Sequence, residues 1–128
     1  MKLLIKNSGK KLPDIKKQLL SLKSDSVTIV DYVYPLTKLK NGSYPIKDHI
    51  NLSGYNPLTG PVFISLTDVY KTKSGIVIVG LKDGSYPNEH EKKVLLKLGV
   101  KAYSYNIVPA VIFAASLNLR IKAFGVVE

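Results

Sequence analysis

The sequence predicts an α/β fold: an open, mostly parallel sheet with helices on its faces. Apolar and β-branched runs of strand length alternate with segments of helical periodicity. Residues 76–81 form the most apolar run, which is typical of a central strand covered on both faces. A chain of 128 residues has the length of one domain, so residues 1–128 are expected to form a single unit.

The first third of the chain predicts a strand, a helix and a second strand. Residues 2–6 have strand character, and apolar residues recur at helical spacing between Leu12 and Leu22. Residues 27–30 form a β-branched run typical of a buried strand. Pro35 is expected to lie in the loop that follows this strand.

The middle of the chain predicts short extended structure, a turn, the central strand and a helix. Residues 62–66 have extended character, and residues 70–75 are expected to form a surface turn. Asn88 and Glu91 have the spacing of a capping box, which predicts a helix beginning just after Asn88. This helix is expected to bury one stripe of apolar side chains: Val94, Leu95 and Leu98.

The last part of the chain continues the alternation of strand and helix. Residues 100–105 predict a strand, and residues 110–117 predict an apolar helix with Pro109 in its first turn. Residues 121–127 predict the last strand. Strands that alternate with helices in this way favour a parallel sheet.

The net charge of +10 indicates anionic partners, including nucleic acid. The basic residues are nearly all lysines spread along the chain, and Arg120 is the only arginine. Specific readers of bases and phosphates favour the paired hydrogen bonds of arginine. The pattern therefore favours a solvated lysine-rich surface, with nucleic-acid binding as the less favoured alternative.

Several kinds of site and location are not expected. The chain has no cysteine, and His49 and His90 lack the spacing of metal ligands, so neither a metal site nor a cofactor is predicted. No apolar run reaches the roughly 20 residues that a membrane span needs. We therefore expect a cytoplasmic protein that does not contact the membrane.

Residues 48–61, DHINLSGYNPLTGP, carry the most specific motif in the chain. This segment resembles the DHINL-x-G-x-NPL-x-GP loop of the purine nucleoside phosphorylases. Residues 63–70 and 98–124 are similar to two further segments of that family in the same order. The resemblance extends over nearly the whole chain but only about half of a typical family member, which implies a truncated, nucleoside-phosphorylase-like relative.

The signature loop itself is expected to be an irregular buried turn with a structural role. Asp48, Asn51 and Asn56 can hydrogen-bond backbone groups, while Gly54 and Gly60 can adopt conformations that other residues avoid. A retained ligand contact is the alternative. The positions of this structural signature are Asp48, His49, Asn51, Gly54, Asn56 and Gly60.

The resemblance also assigns the candidate ligand site, and here the chain departs from the family pattern. Pro87 stands where the family has its purine-recognising glutamate. Tyr105 and Asn106 replace a methionine-serine pair that contacts ribose and phosphate, and Asp31 and Tyr32 fall near an asparagine-alanine pair. The candidate ligand-binding residues are Tyr32, Tyr86, Tyr105 and Asn106.

Three hypotheses follow, and none assigns a catalytic residue. In the first, phosphorolysis has been lost and the domain is retained as a binding or assembly module, since the family's amino-terminal phosphate loop has no counterpart here. In the second, a rearranged or subunit-shared site still converts purine nucleoside and phosphate to base and ribose 1-phosphate. The third is nucleic-acid binding. The resemblance implies a purine nucleoside or phosphate as ligand, and we expect a homo-oligomer, most simply a dimer.

Overall fold

A computed structural model describes residues 2–4, 12–21, 23–54, 69–70 and 72–128. In these residues the strands are β1 (Lys2–Leu4), β2 (Ser26–Tyr32), β3 (Tyr34–Pro35), β4 (Gly42–Asn51), β5 (Ile76–Gly80), β6 (Val100–Ser104) and β7 (Arg120–Val127). The helices are α1 (Leu12–Leu20), α2 (Glu89–Lys97) and α3 (Ile107–Ser116). The extended structure expected at 62–66, and the signature residues Asn56 and Gly60, lie outside the described residues.

The strands form one mixed sheet in the order β1-β2-β7-β4-β5-β6-β3. The groups β1-β2-β7 and β4-β5-β6 are each parallel, and they join where β7 runs antiparallel to β4. β3 pairs antiparallel with β6 at the end of the order. The predicted α/β fold with a mostly parallel sheet is therefore confirmed, with antiparallel pairings at the junction and at β3.

The long strand β4 connects the two parallel groups. Its first half pairs with β7, from Gly42 opposite Val127 to Pro45 opposite Phe124. Its second half pairs with β5, and Asn51 lies opposite Gly80. The expectation that the signature segment begins as an irregular buried turn was wrong for residues 48–51, because this part of the segment is the end of β4 and both Asp48 and Asn51 are exposed.

Two hydrophobic cores lie on opposite faces of the sheet, because the side chains of a strand alternate between its faces. In β5, Ile78 belongs to the first core, whereas the next residue, Val79, belongs to the second. Helices α1 and α3 contribute to the first core, and α2 contributes Leu95 to the second. The prediction that residues 76–81 form a strand covered on both faces is confirmed over Ile76–Gly80.

Close packing of α3 on the sheet depends on a glycine in β5. A Cβ atom at Gly80 would lie 2.9 Å from the Cβ of Val108, which is closer than normal carbon contacts allow. The absence of a side chain thus lets α3 lie directly against β5. α3 is buried along most of its length, which agrees with its apolar sequence.

Helix α2 has the predicted start but not the predicted buried stripe. Its capping box is formed: the Glu91 amide donates to Asn88 Oδ1 at 2.8 Å, and the Asn88 amide donates to Glu91 Oε1 at 3.0 Å. Leu95 is buried, whereas Val94 is 57% exposed and Leu98 is 62% exposed. The stripe prediction was wrong at Val94 and Leu98 because α2 packs over β6 near the edge of the sheet, where there is little surface to cover them.

The short strand β3 was not predicted, since Pro35 was expected in a loop. A proline is tolerated at the edge of a sheet, where its missing amide costs no hydrogen bond. Tyr34 lies opposite Tyr103 and Pro35 opposite Ala102 in the pairing with β6. Because β3 follows β2 almost directly, this pairing curls the sheet until the carboxyl end of β2 approaches that of β6.

Among the described residues, none of the helices is both long and apolar enough to cross a membrane.

Candidate functional site

The carboxyl ends of β2 and β6 meet at a buried acid. Asp31, the next-to-last residue of β2, is only 9% exposed. Its Oδ1 atom accepts a hydrogen bond from the Tyr32 amide at 2.7 Å, and the Asn106 side chain also hydrogen-bonds the carboxylate. Burial raises the pKa of Asp31 above its ordinary value of 3.8, and the two hydrogen bonds partly oppose this rise. Asn106 is also the N-cap residue of α3, so the acid lies at the start of that helix.

Three tyrosines pack together beside this acid, and we call Tyr34, Tyr103 and Tyr105 the tyrosine cluster. The ring centroids of Tyr34 and Tyr103 are 5.2 Å apart, and those of Tyr34 and Tyr105 are 5.6 Å apart. The rings of Tyr103 and Tyr105 meet edge to face at 6.0 Å. These distances are typical of favourable aromatic pairs.

The connection between β5 and α2 lies against the tyrosine cluster. The Tyr105 hydroxyl donates to the Ser85 carbonyl oxygen at 2.7 Å. The pKa of Tyr105 is raised, first by burial and then by neighbours that include Asp83 and Tyr86. Tyr86 itself is 76% exposed. Its ring is therefore available to a ligand at the rim of the site.

The structure brings the four predicted ligand-binding residues to one region. Asn106 contacts Asp31, and Tyr32 adjoins Asp31 in the chain. Tyr105 belongs to the tyrosine cluster, and Tyr86 lies close enough to influence its ionisation. The shared location follows from the curling of the sheet, which places residues of β2, β6 and the β5–α2 connection together.

Two cluster residues, Tyr34 and Tyr103, were not predicted as site residues. Tyr103 and Tyr105 are two residues apart, so in a strand they project from the same face. The same spacing separates Tyr32 and Tyr34. This repeated spacing in two segments is the sequence signal that could have indicated an aromatic cluster.

Ser104 lies at the end of β6, just before the cluster residue Tyr105. Its side chain is fully buried, and its Oγ atom has no hydrogen-bond partner among the described residues. Buried hydroxyls are nearly always paired, because desolvation without a partner is unfavourable. The Ser104 hydroxyl is therefore a buried polar group, next to the candidate site, without a hydrogen-bond partner among the described residues.

A groove of about 470 Å³ extends from Tyr86 along α2. Pro87 and Val94 contribute to its walls, and Leu52 contributes from the end of β4. The Leu52 amide donates to the Gly80 carbonyl at 2.9 Å, which fixes this end of the signature segment beside the groove. The groove is thus lined mainly by apolar side chains, and Asp31 is not among its lining residues.

Two of the described signature residues, Asp48 and Asn51, make local hydrogen bonds. Asp48 Oδ1 accepts from the His49 amide at 2.8 Å, and Asn51 Oδ1 accepts from the Ser53 amide at 3.1 Å and the Ser53 hydroxyl at 2.6 Å. Gly54 has a φ of +69°, a conformation that favours glycine. These contacts agree with the expected backbone bonds of Asp48 and Asn51 and the expected conformation of Gly54.

His49 makes a long-range contact with a buried tyrosine. Its Nδ1 atom lies 2.6 Å from the Tyr70 hydroxyl, and the rings meet edge to face at 5.5 Å. Tyr70 is only 4% exposed, so the expectation that residues 70–75 form a surface turn was wrong at its first residue. Burial lowers the pKa of His49 and raises that of Tyr70. The lowered pKa favours the neutral form of His49 beside the buried Tyr70 hydroxyl.

A larger groove, of about 620 Å³, lies elsewhere, at the amino ends of β2 and β7. It is lined by residues including Ser26, Thr28 and Lys122, and by Arg120, which forms an ion pair with Asp25 at 2.9 Å. It contains none of the predicted ligand-binding residues. Within the described part of the chain, no group of three or more histidine or acidic residues is placed to hold a metal ion.

Neither a protein-family model nor a curated protein sequence matches this chain. Solved structures do. A schistosome purine nucleoside phosphorylase in complex with hypoxanthine aligns with a TM-score of 0.77 and 20% identity, over 92% of this chain and 54% of that chain. Isoform 2 of purine nucleoside phosphorylase from Schistosoma mansoni, in complex with cytosine and ribose-1-phosphate, aligns with a TM-score of 0.77 and 22% identity. The alignment covers 93% of this chain and 53% of that chain.

These likenesses show a nucleoside-phosphorylase-like α/β fold. The expected resemblance to the purine nucleoside phosphorylases is therefore confirmed at the level of the fold. The chain spans about half the length of these solved structures.

Proposed function

We propose that this chain is a ligand-binding domain of nucleoside-phosphorylase-like fold that does not itself catalyse phosphorolysis. The observation that supports this most directly is the hydrogen bond between Asp31 and Asn106. The resemblance placed a contact to ribose and phosphate at the Tyr105-Asn106 pair, and Asp31 near an asparagine of the family. In this chain Asn106 and Asp31 contact each other.

An acid at this position opposes the binding of phosphate. Two unit charges of like sign at 4 Å repel by about 4 kcal/mol at the effective dielectric of a protein surface. The Asn106 side chain, which was the candidate donor to phosphate, already bonds the Asp31 carboxylate. Phosphate would therefore meet a negative charge and lose a donor.

The departing base also lacks an identified partner. Phosphorolysis requires a positioned phosphate and a group that stabilises the leaving purine. Pro87 stands at the position the resemblance assigns to the purine-recognising glutamate, and proline has neither a carboxylate nor a backbone N–H. Its ring instead forms part of the apolar groove wall.

The tyrosines still offer surfaces on which a flat ligand can stack. Tyr86 is 76% exposed, and Tyr34 is 42% exposed. Stacking of a base on an aromatic side chain contributes about 1–3 kcal/mol. This supports retained binding of a nucleoside or a related ring compound in the absence of chemistry.

The test separates binding from turnover. Incubation with inosine, adenosine, guanosine or methylthioadenosine and excess phosphate should release no free base above the level without protein, as measured by chromatography. The same nucleosides should shift amide resonances near Tyr86 in two-dimensional NMR spectra, and Tyr86→Ala should remove these shifts. Base release that depends on both protein and phosphate would overturn the proposal.

The second candidate is a functional phosphorylase with a rearranged site. It is favoured by the convergence of Tyr32, Tyr86, Tyr105 and Asn106 in one region. In this case Tyr86 stacks on the base and Asn106 helps to hold phosphate or ribose. The turnover experiment decides between the candidates, and Asn106→Ala should then reduce base release at least tenfold.

We further propose a homo-oligomer, most simply a dimer, that buries the exposed apolar face of α2. Val94 and Leu98 are both more than half exposed there. Sedimentation velocity at micromolar concentration should show a dimer that Val94→Lys dissociates. The exposed Lys93→Ala is the matched control on the same helix, and a monomer of the unaltered chain would contradict the proposal.

A further inference from the structure

The surface around the tyrosine cluster combines aromatic rings with acids on a strongly basic protein. The chain carries a net charge of +10. At this location, however, two acids lie near enough to Tyr34 to influence its ionisation: the buried Asp31 and the exposed Asp83 of the β5–α2 connection. The basic surface of the protein attracts anions, whereas an acidic, aromatic surface attracts a cation.

The exposed parts of these rings can contact a cation. The faces of aromatic rings carry partial negative charge, and they attract cations centred within about 6 Å. Tyr34 stacks on Tyr103 at 5.2 Å and keeps 42% of its surface exposed. Tyr86, 76% exposed, presents a further ring near Tyr105.

The pKa values of Tyr34 and Tyr105 are both affected by the nearby Asp83. Burial is the largest cause of the raised pKa of Tyr34, and Asp31 and Asp83 both add to the rise. The pKa of Tyr105 is also raised, by burial first and then by neighbours that include Asp83. Each of these acids disfavours a second negative charge and favours a positive one.

We propose that the tyrosine cluster, with Tyr86, Asp31 and Asp83, binds a small organic cation of the quaternary-ammonium or cationic aromatic class. The inference rests on the proposed function, because it names the class of ligand for the same surface. Rings supply contacts to the diffuse charge and methyl groups of such a cation, while the carboxylates supply attraction over a longer range. A compact, strongly hydrated cation fits less well, since contact with ring faces does not compensate for the loss of its tightly held water.

The test compares a cation with its neutral isostere. Choline and 3,3-dimethyl-1-butanol have nearly the same shape but differ in charge, so titration of each into the full chain isolates the electrostatic contribution. Choline should shift the amide resonances of Tyr34, Tyr103 and Tyr105, with a dissociation constant at least tenfold lower than that of the alcohol. Equal binding of the two compounds, or shifts confined to other residues, would overturn the proposal.

Matched variants separate the rings from the acids. Tyr34→Phe keeps the ring and should bind choline within twofold of the unaltered chain, whereas Tyr34→Leu should weaken binding at least fivefold. Asp83→Asn should weaken binding about threefold, and Asp14→Asn, on the exposed face of α1, should leave it unchanged. Equal effects of the two aspartate variants would show that only net charge matters and would refute the assignment.

The nucleoside turnover and binding assays distinguish this inference from the proposed function. Absence of choline binding together with retained nucleoside binding overturns the cation site alone. Phosphate-dependent release of base overturns the proposed function, whatever choline does.

Discussion

Replacement of Ser104 by alanine should stabilise the protein. The Ser104 hydroxyl is fully buried without a hydrogen-bond partner among the described residues, so the folded state bears the cost of removing it from water. Alanine fits the same position in β6 and has no polar atom to desolvate. The substitution therefore removes an unfavourable contribution and breaks no described hydrogen bond.

The size of the effect follows from the environment of the hydroxyl. A buried unsatisfied polar group costs about 1–3 kcal/mol, and loss of some packing around the oxygen offsets part of the gain. We expect the free energy of unfolding to rise by about 1 kcal/mol. At about 2.1 cal/mol/K per residue, the entropy of unfolding for a chain of 128 residues is roughly 270 cal/mol/K. The melting temperature should accordingly rise by about 4 °C.

Ser53 provides the matched control because the same substitution should have the opposite sign there. Ser53 is 8% exposed, and its hydroxyl donates to Asn51 Oδ1 at 2.6 Å. Ser53→Ala should lower the free energy of unfolding by about 1 kcal/mol. Urea denaturation followed by circular dichroism measures both variants. Destabilisation of Ser104→Ala by 1 kcal/mol or more would show that Ser104 has a partner and would refute the reasoning.

Three further predictions concern packing and pH. Leu95→Ala should lower the free energy of unfolding by about 2–3 kcal/mol, while Lys93→Ala on the exposed side of α2 should change it by no more than about 0.5 kcal/mol in urea denaturation; equal losses would contradict the one-sided packing of this helix. Because the folded-state pKa of Asp31 lies above 3.8, stability should fall as pH rises from that value through the raised pKa, and Asp31→Asn should remove this decline in a pH series of thermal melts. Because the folded-state pKa of His49 lies below 6.5, stability should fall as pH drops below that value, and this slope should persist in Tyr70→Phe but disappear in His49→Gln.

Local sequence signals predicted those elements whose structure is set by neighbouring residues. The capping box at Asn88 and Glu91 depends on a fixed short spacing, and it formed as predicted. The buried strand at Ile76–Gly80 was evident because both of its faces are apolar. Each of these predictions needed only a few adjacent residues.

The errors arose where distant parts of the chain determine the outcome. Val94 and Leu98 have helical spacing, but their burial depends on whether a surface lies opposite them, and α2 is placed near the sheet edge. β3 contains a proline and only two residues, so its pairing with β6 could not be expected from propensity. Tyr70 was assigned to a surface turn because its partner, His49, is distant in sequence.

The candidate site was predicted in part. Tyr32, Tyr86, Tyr105 and Asn106 were selected by resemblance to a family, and the fold brings them to one region. Tyr34 could not be selected in that way, since it reaches the site only through the pairing of β3 with β6. The contact between Asp31 and Asn106 likewise depends on the curling of the sheet.

The position of β7 also has a consequence for the order in which the protein can be assembled. β7 lies between β2 and β4, and its pairing with β2 joins Ser26 to Arg120, residues from nearly opposite ends of the sequence. During synthesis, β2 leaves the ribosome early but has no pairing partner on one side until β7 emerges. Such long-range pairing slows folding and leaves unpaired strands exposed to other chains in the meantime. During synthesis, chaperone dependence should therefore be governed by the emergence of residues 120–127. In refolding, the yield at high protein concentration should be governed by how soon these residues pair with β2.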